Sequence, residues 1–166
     1  ADELLNIKIE GSTISDLIKT QIATIGENIQ LRRVSLFSTD KGVIGSYIHP
    51  VGNKIGVLLN LSSSADGKSA ELEDLAKNIA MHIAASQPQP EYIDKSAIPS
   101  EIIENEKRIE LGKEDLAKKP KEIAEKIVQG RLDKILAQRC LLEQPFIKDP
   151  GITIDKLIAE KGKQLN

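Results

Sequence analysis

The chain has 166 residues, enough to bury one sizeable core, and a formal net charge of −2. That balance argues against a protein that binds nucleic acid by neutralising phosphates, because such binding needs a basic face. With 40% hydrophobic and 29% charged residues a disordered or fibrous composition is excluded, and the single cysteine, Cys140, rules out an intrachain disulfide and a multi-cysteine zinc site.

Phe37, Tyr47, Tyr92 and Phe146 are the only aromatic residues, so the core is expected to be built from Ile, Leu, Val and Ala. No apolar run reaches the length of a membrane span, and no charged start followed by an apolar stretch resembles a secretory signal, so no membrane partner is expected. The chain opens without methionine, the pattern of a processed or truncated product.

From Ser15 to Ile25, apolar residues at Leu17, Ile18, Ile22 and Ile25 share one side of a helix, and Gly26 is placed to end it in the left-handed conformation. Three β-like runs follow, Ile29 to Phe37, Val43 to His49 and Ile55 to Leu61. The turn formers of Thr39-Asp40-Lys41-Gly42 and Pro50-Val51-Gly52-Asn53 separate them, which predicts a three-stranded antiparallel meander. In the third run Ile55, Val57, Leu59 and Leu61 line one face, which requires a helix against it. On a helical wheel Leu75, Ala76, Ile79 and Ile83 fall within roughly 60° of Leu72 at about 100° per residue, so this amphipathic segment, ending before Pro88, supplies the helix.

Gln87 to Pro90 with Tyr92 reads as an extended connector, since each proline restricts the residue before it. Ile102, Ile109 and Leu116 recur at heptad spacing between Ser100 and Lys119. A second helix starts at Lys121, where Pro120 suits the first turn, and the two are predicted to pack as an antiparallel hairpin. In the second helix Ile123 and Ile127 share one face and Val128, Leu132, Ile135 and Leu136 another, with Gly130 at the change, where a bend or break is expected. Cys140 to Gly151 carries two prolines and reads as an extended loop packing Leu141, Leu142 and Phe146. Thr153 to Lys161 is a last short helix capped by Thr153 or Asp155. The expected architecture is α+β, divided into a core at 1–92, a projecting coiled-coil-like hairpin at 93–140, and a return loop with the C-terminal helix at 141–166.

Several runs suggest chemistry, and each has a plain alternative. Ala65-Asp66-Gly67-Lys68-Ser69 has the Gly-Lys-Ser ending of a phosphate-binding loop, but that pattern needs glycine where Ser62 stands; a surface loop is the favoured reading, and no cofactor is expected. Cys140 would be a nucleophile only with a base or positive charge beside it, and the favoured reading is a small apolar residue at a helix end. His49 and His82 have no carboxylate at metal-ligand spacing, and Glu101 and Glu104 belong to a solvated helix face. His82 lies roughly 80° from Leu72 on the wheel, at the border between apolar face and solvent, where it is expected to be presented at a rim. Met81 points almost opposite the core face, where an apolar side chain serves a partner or is simply exposed. From the residues alone the reading is an α+β binding protein without catalytic residues.

The runs Gly26-Glu27-Asn28-Ile29 leading into Arg32-Arg33, Gly45-Ser46-Tyr47-Ile48-His49 and Lys54-Ile55-Gly56-Val57-Leu58 resemble the bacterial and organellar elongation factor Ts family. So do Ala80-Met81-His82-Ile83-Ala84-Ala85-Ser86 with Pro88, the run from Lys119 to Val128, Gly130-Arg131-Leu132, and Cys140-Leu141-Leu142-Glu143-Gln144-Pro145-Phe146. The resemblance extends from about Asp16 to the end. It implies a guanine-nucleotide exchange factor that binds elongation factor Tu in its GDP form and loosens magnesium and nucleotide, in the cytoplasm of a bacterium or in an organelle. It further implies that Met81 and His82 match the helix facing the GTPase's nucleotide domain and that Ile55 and Gly56 match the strand beside it, making these four the expected partner-binding residues. A homodimer is left open. The family's small ubiquitin-associated-like domain, its Thr-Asp-Phe-Val motif and its closing strand rich in Arg and Phe do not occur here. A fragment is therefore expected, and a non-exchanging adaptor that keeps only the docking surface is the alternative.

Overall fold

The computed structural model describes residues 2–52, 54–64, 70–116 and 119–165. Contacts divide the chain into two compact units, Ala1–Phe37 and Ser38–Asn166.

In the first unit α1 (Asp2–Leu5) precedes a two-residue hairpin of β1 (Lys8–Ile9) and β2 (Ser12–Thr13), then α2 (Ile14–Ile25). Helix α2 is bounded by local chemistry. Thr13 Oγ1 accepts from the Asp16 amide at 3.1 Å, and Gly26, with φ of 78°, returns its N–H to the Ile22 carbonyl. Both groups would otherwise be orphaned helix ends. The expected first strand, Ile29 to Phe37, is not one: no strand is assigned between Gly26 and Gly42, and Val34, Leu36 and Phe37 are exposed. An apolar-rich run signals strand propensity, but a strand exists only where a neighbour supplies the ladder.

The predicted meander is therefore a two-stranded sheet, with β3 (Val43–Ile48) antiparallel to β4 (Gly56–Leu61) in the register Val43↔Leu61 to Ile48↔Gly56. Its inner face carries Val43, Gly45, Val57, Leu59 and Leu61, and its outer face exposes Ile44, Ile48 and Leu58. Against the inner face lies α3 (Ala70–Ala85), burying Leu72, Leu75, Ala76 and Ile79 as the wheel predicts; Ile83, expected beside them, is half-buried, while Ala80 and Ala84 are buried outside the predicted stripe. Gly45 makes the approach close: a Cβ there would sit 2.8 Å from Ala76 Cβ. The loop at Ala65–Ser69 lies outside the described residues.

A connector whose Gln87–Pro88 bond is cis leads to α4 (Ser100–Leu111) and α5 (Lys121–Arg139), which pack on each other. Cross-links at Glu106–Arg139 and Glu110–Arg131 show the antiparallel order. Two expectations are corrected. Helix α4 stops at Leu111, with Gly112 as its cap, so the heptad reading through Leu116 fails: Leu116 is buried, but from a turn that meets Ala124 and Val128, while Ile109 is exposed. Helix α5 continues through Gly130 and buries Ala124, Val128, Leu132 and Leu136, a strict four-residue row. Residues four apart stack on one face, and the exposed Gly130 lies off it. Arg139 ties the connector to this hairpin, donating to Glu91 from Nε at 3.0 Å and Nη2 at 2.7 Å with its guanidinium 5.7 Å from the Tyr92 ring.

The return segment is more ordered than the predicted loop. A single 3-10 turn at Leu141–Glu143 leads into a small hairpin of β5 (Pro145–Phe146) and β6 (Asp149–Thr153), then α6 (Ile154–Leu165), whose Lys156 amide donates to Thr153 Oγ1 at 3.4 Å. Leu141, Phe146 and Ile154 join Leu75 and Ile79 in one buried cluster. Among the described residues no helix is long and apolar enough to cross a membrane.

Candidate functional site

Helix α3 starts where Leu72 packs on Val43 and Leu61, passes Gly45 at Ala76, and runs towards the Ile48–Gly56 end of the sheet. Ile55 precedes β4 there, its carbonyl accepting from the His49 amide at 2.9 Å. Gly56 is exposed, and nothing lies within 4 Å of where its Cβ would be. Met81 is half-buried rather than fully turned to solvent.

His82 departs from expectation. It is only 1% exposed, among the most buried side chains of the chain, and is not presented at a rim. The wheel places it at the border of the apolar face, but the residues that cover it lie 62 and 65 positions downstream, where the helical pattern of α3 has no information. Gln144 Oε1 lies 3.0 Å from its Nε2, the Ile147 amide donates to its Nδ1 at 3.3 Å, and the Phe146 ring lies 6.1 Å away. Burial pushes the imidazole pKa below its ordinary 6.5, opposed in part by the Gln144 bond. Gln144 is itself only 5% exposed, and its Nε2 donates to the Pro88 carbonyl at 3.0 Å and the Gln138 carbonyl at 2.6 Å.

Around this pair the end of α3, the connector, the end of α5 and the β5–β6 hairpin enclose a cleft of about 550 Å³, whose walls include His82, Ser86, Pro88, Lys134, Gln138 and Ile147. Its lining is mixed: apolar at Pro88, Ala137, Pro145 and Ile147, charged at Lys134 and Glu143, the latter paired with Lys95 at 3.0 Å. Such a cleft, apolar with a few polar groups at the margin, is suited to receive a protein side chain or loop. Reasoning along the sequence did not single out Gln144, Ile147 or Lys134. The only signal was the run from Cys140 to Phe146, which contains Gln144 without marking what it does.

The remaining candidates have ordinary surroundings. Cys140 is fully buried in a cluster with Ile98, Leu132 and Leu136, and burial pushes its thiol above the usual value, away from the thiolate that nucleophilic chemistry needs. Among the described residues no group of three or more His, Cys, Asp or Glu side chains could hold a metal ion.

Comparison with known proteins bears on the whole length. The family model for elongation factor Ts matches residues 1–166. An elongation factor Ts from a Nostoc species is 46% identical over 152 residues, covering 89% of this chain and 48% of that protein. Those of Nostoc punctiforme and Syntrophotalea carbinolica are 44% and 42% identical, covering 93% and 92% of this chain and 50% and 49% of theirs. The chain thus spans about half the length of the curated relatives it matches. With the family model matched over residues 1–166 and relatives 42–46% identical across 89–93% of this chain, the chain belongs to the elongation factor Ts family.

Proposed function

We propose that this chain forms the core of a guanine-nucleotide exchange factor that binds elongation factor Tu carrying GDP and promotes release of the nucleotide during translation. The observation that carries the reading is the family match across residues 1–166. The protein supplies no covalent chemistry. It binds more tightly to a GTPase conformation whose phosphate and magnesium contacts are disrupted, and by linkage GDP is held less tightly in the complex. A thousandfold loss of GDP affinity corresponds to about 4 kcal/mol of such coupling.

Ile55, Gly56 and Met81 meet the GTPase directly, and His82 acts through the wall of the cleft that it lines. The division into a core at 1–92, a hairpin at 93–140 and a return segment at 141–166 is retained as the functional organisation, with the core and return segment docking the partner. The relatives this chain matches come from bacteria such as Nostoc and Syntrophotalea carbinolica, which favours the cytoplasm.

Calorimetric titration of this chain into elongation factor Tu with GDP, beside stopped-flow release of a fluorescent GDP analogue, tests the reading. Saturable binding with accelerated release is expected, weakened by Met81→Ala and Ile55→Ala. Absence of binding overturns the proposal, and binding with unchanged release assigns the chain a docking role alone.

A further inference from the structure

Gln144 occupies a position out of proportion to a surface amide. Its main-chain N–H donates to the Leu141 carbonyl at 3.2 Å and its carbonyl accepts from the Ile154 amide at 3.0 Å. Its side-chain amide reaches three further segments: the connector at Pro88, α5 at Gln138 and α3 at His82. The two carbonyls decide how the amide is turned. Pro88 O and Gln138 O can only accept, so both protons of Nε2 face them, and the amide oxygen must face His82.

An oxygen at 3.0 Å from His82 Nε2 requires that nitrogen to carry the proton. The other side of the ring gives the same answer independently. The Ile147 main-chain N–H can only donate, so Nδ1, 3.3 Å from it, must be the bare nitrogen. Two constraints on opposite sides of the ring, the Gln144 side chain and the Ile147 main chain three residues on, therefore specify one neutral tautomer, protonated at Nε2. A second proton on Nδ1 would face the Ile147 N–H and break that bond. The charged groups facing the same cleft are Lys134 from α5 and Glu143 from the 3-10 turn, and neither is bonded to the ring; Glu143 is held by Lys95.

We propose that Gln144 is the positioning residue of the His82 site: it fixes the buried imidazole as the Nε2-protonated tautomer and couples the cleft wall on α3 to the connector and to α5. The consequence for partner binding rests on the exchange-factor reading above; the consequence for the ring does not. With the ring locked, the cleft presents one shape at neutral pH. Acidification adds the proton at Nδ1 and releases Ile147 with the start of the β5–β6 turn.

Nitrogen-resolved NMR of the His82 ring in the unaltered 166-residue chain is the first arm, and it needs no partner. A slowly exchanging Nε2–H and an unprotonated Nδ1 are expected, with the Ile147 amide shifting at the pH where the ring titrates. Averaged tautomers, or a proton on Nδ1, overturn the proposal. Gln144→Met, close in volume but without the amide, is the second arm. It is expected to lose the protected Nε2–H and to change the titration midpoint of His82 while α3 resonances remote from the cleft stay in place; an unchanged ring overturns it.

The third arm is affinity for elongation factor Tu with GDP. Gln144→Met is expected to weaken binding about tenfold in the unaltered background and less than about twofold in a His82→Ala background, the non-additivity of residues acting as a unit. Full additivity means that Gln144 acts on the fold generally and not through His82. If the ring behaves as expected but neither parent nor variants bind the GTPase, the exchange-factor reading fails and the positioning role stands.

Discussion

Gly45→Ala tests the seat on which α3 rests, and its size can be worked from three distances. The added methyl carbon would lie 2.8 Å from Ala76 Cβ, 3.0 Å from Ala76 C and 3.1 Å from Ala76 O, whereas ordinary contact at such carbons is 3.4–4 Å. Two of those atoms are helix backbone, so no rotamer relieves the clash. The helix must retreat by roughly half an ångström to an ångström, which loosens Leu72 and its neighbours against Leu59 and Leu61. Overpacking of this kind costs about 1–3 kcal/mol, and alanine returns about 0.5–1 kcal/mol through lower chain entropy in a strand, so a net loss of about 1–2 kcal/mol is expected. For a chain of this length that lowers Tm by roughly 2–8 °C, measurable by thermal and urea unfolding followed by circular dichroism. Gly130→Ala is the matched control. Nothing lies within 4 Å of the Gly130 methyl position in the exposed middle of α5, so the same change is expected to stabilise by up to about 1 kcal/mol. A Gly45→Ala variant within about 0.5 kcal/mol of the parent, or equal signs at the two sites, would refute the argument that close approach and not glycine's flexibility selects Gly45.

Thr13→Ala removes the acceptor for the Asp16 amide and is expected to cost about 1 kcal/mol, seen as faster amide exchange in the first turn of α2. Because the native pKa of His82 lies below 6.5, the unfolded chain binds the extra proton first. Its contribution to stability is complete above about pH 6.5 and declines as pH falls from there towards the native value; a His82→Gln variant should flatten that part of the profile in chemical denaturation. Arg131→Met is expected to cost a measurable part of the unfolding free energy, because it removes the bond to Asp115 and because Glu110 is 3% exposed and its Oε2, 3.6 Å from Arg131, accepts no hydrogen bond among the described residues. The value is held down by the 37% exposure of Arg131 and by Lys113, 2.5 Å from Oε1; adding Glu110→Met should recover most of the loss in the same unfolding assay. Cys140→Ser places a hydroxyl in an apolar cluster and is expected to cost about 1–3 kcal/mol without altering any partner affinity measured well below the melting temperature.

Local pattern was enough for a good part of the molecule. The α2 stop at Gly26, the β3–β4 hairpin around its turn, the buried stripe of α3 and the start of α5 after Pro120 all depend on chemistry within a few residues, and such chemistry is written in order along the chain. The family, too, was legible, because short runs in fixed order are a property of sequence. What could not be read there required two distant segments to meet. Whether Ile29 to Phe37 is a strand depends on a neighbouring ladder and not on its own apolar residues. Leu116 keeps its heptad spacing yet reaches Ala124 and Val128 from a turn, since Gly112 ends α4 first. His82 has the wheel angle of a border residue, but burial is a property of what lies on top, and Gln144 and Ile147 arrive from beyond the hairpin to cover it. Periodicity reports which side of a helix a residue occupies; only packing reports whether that side is open.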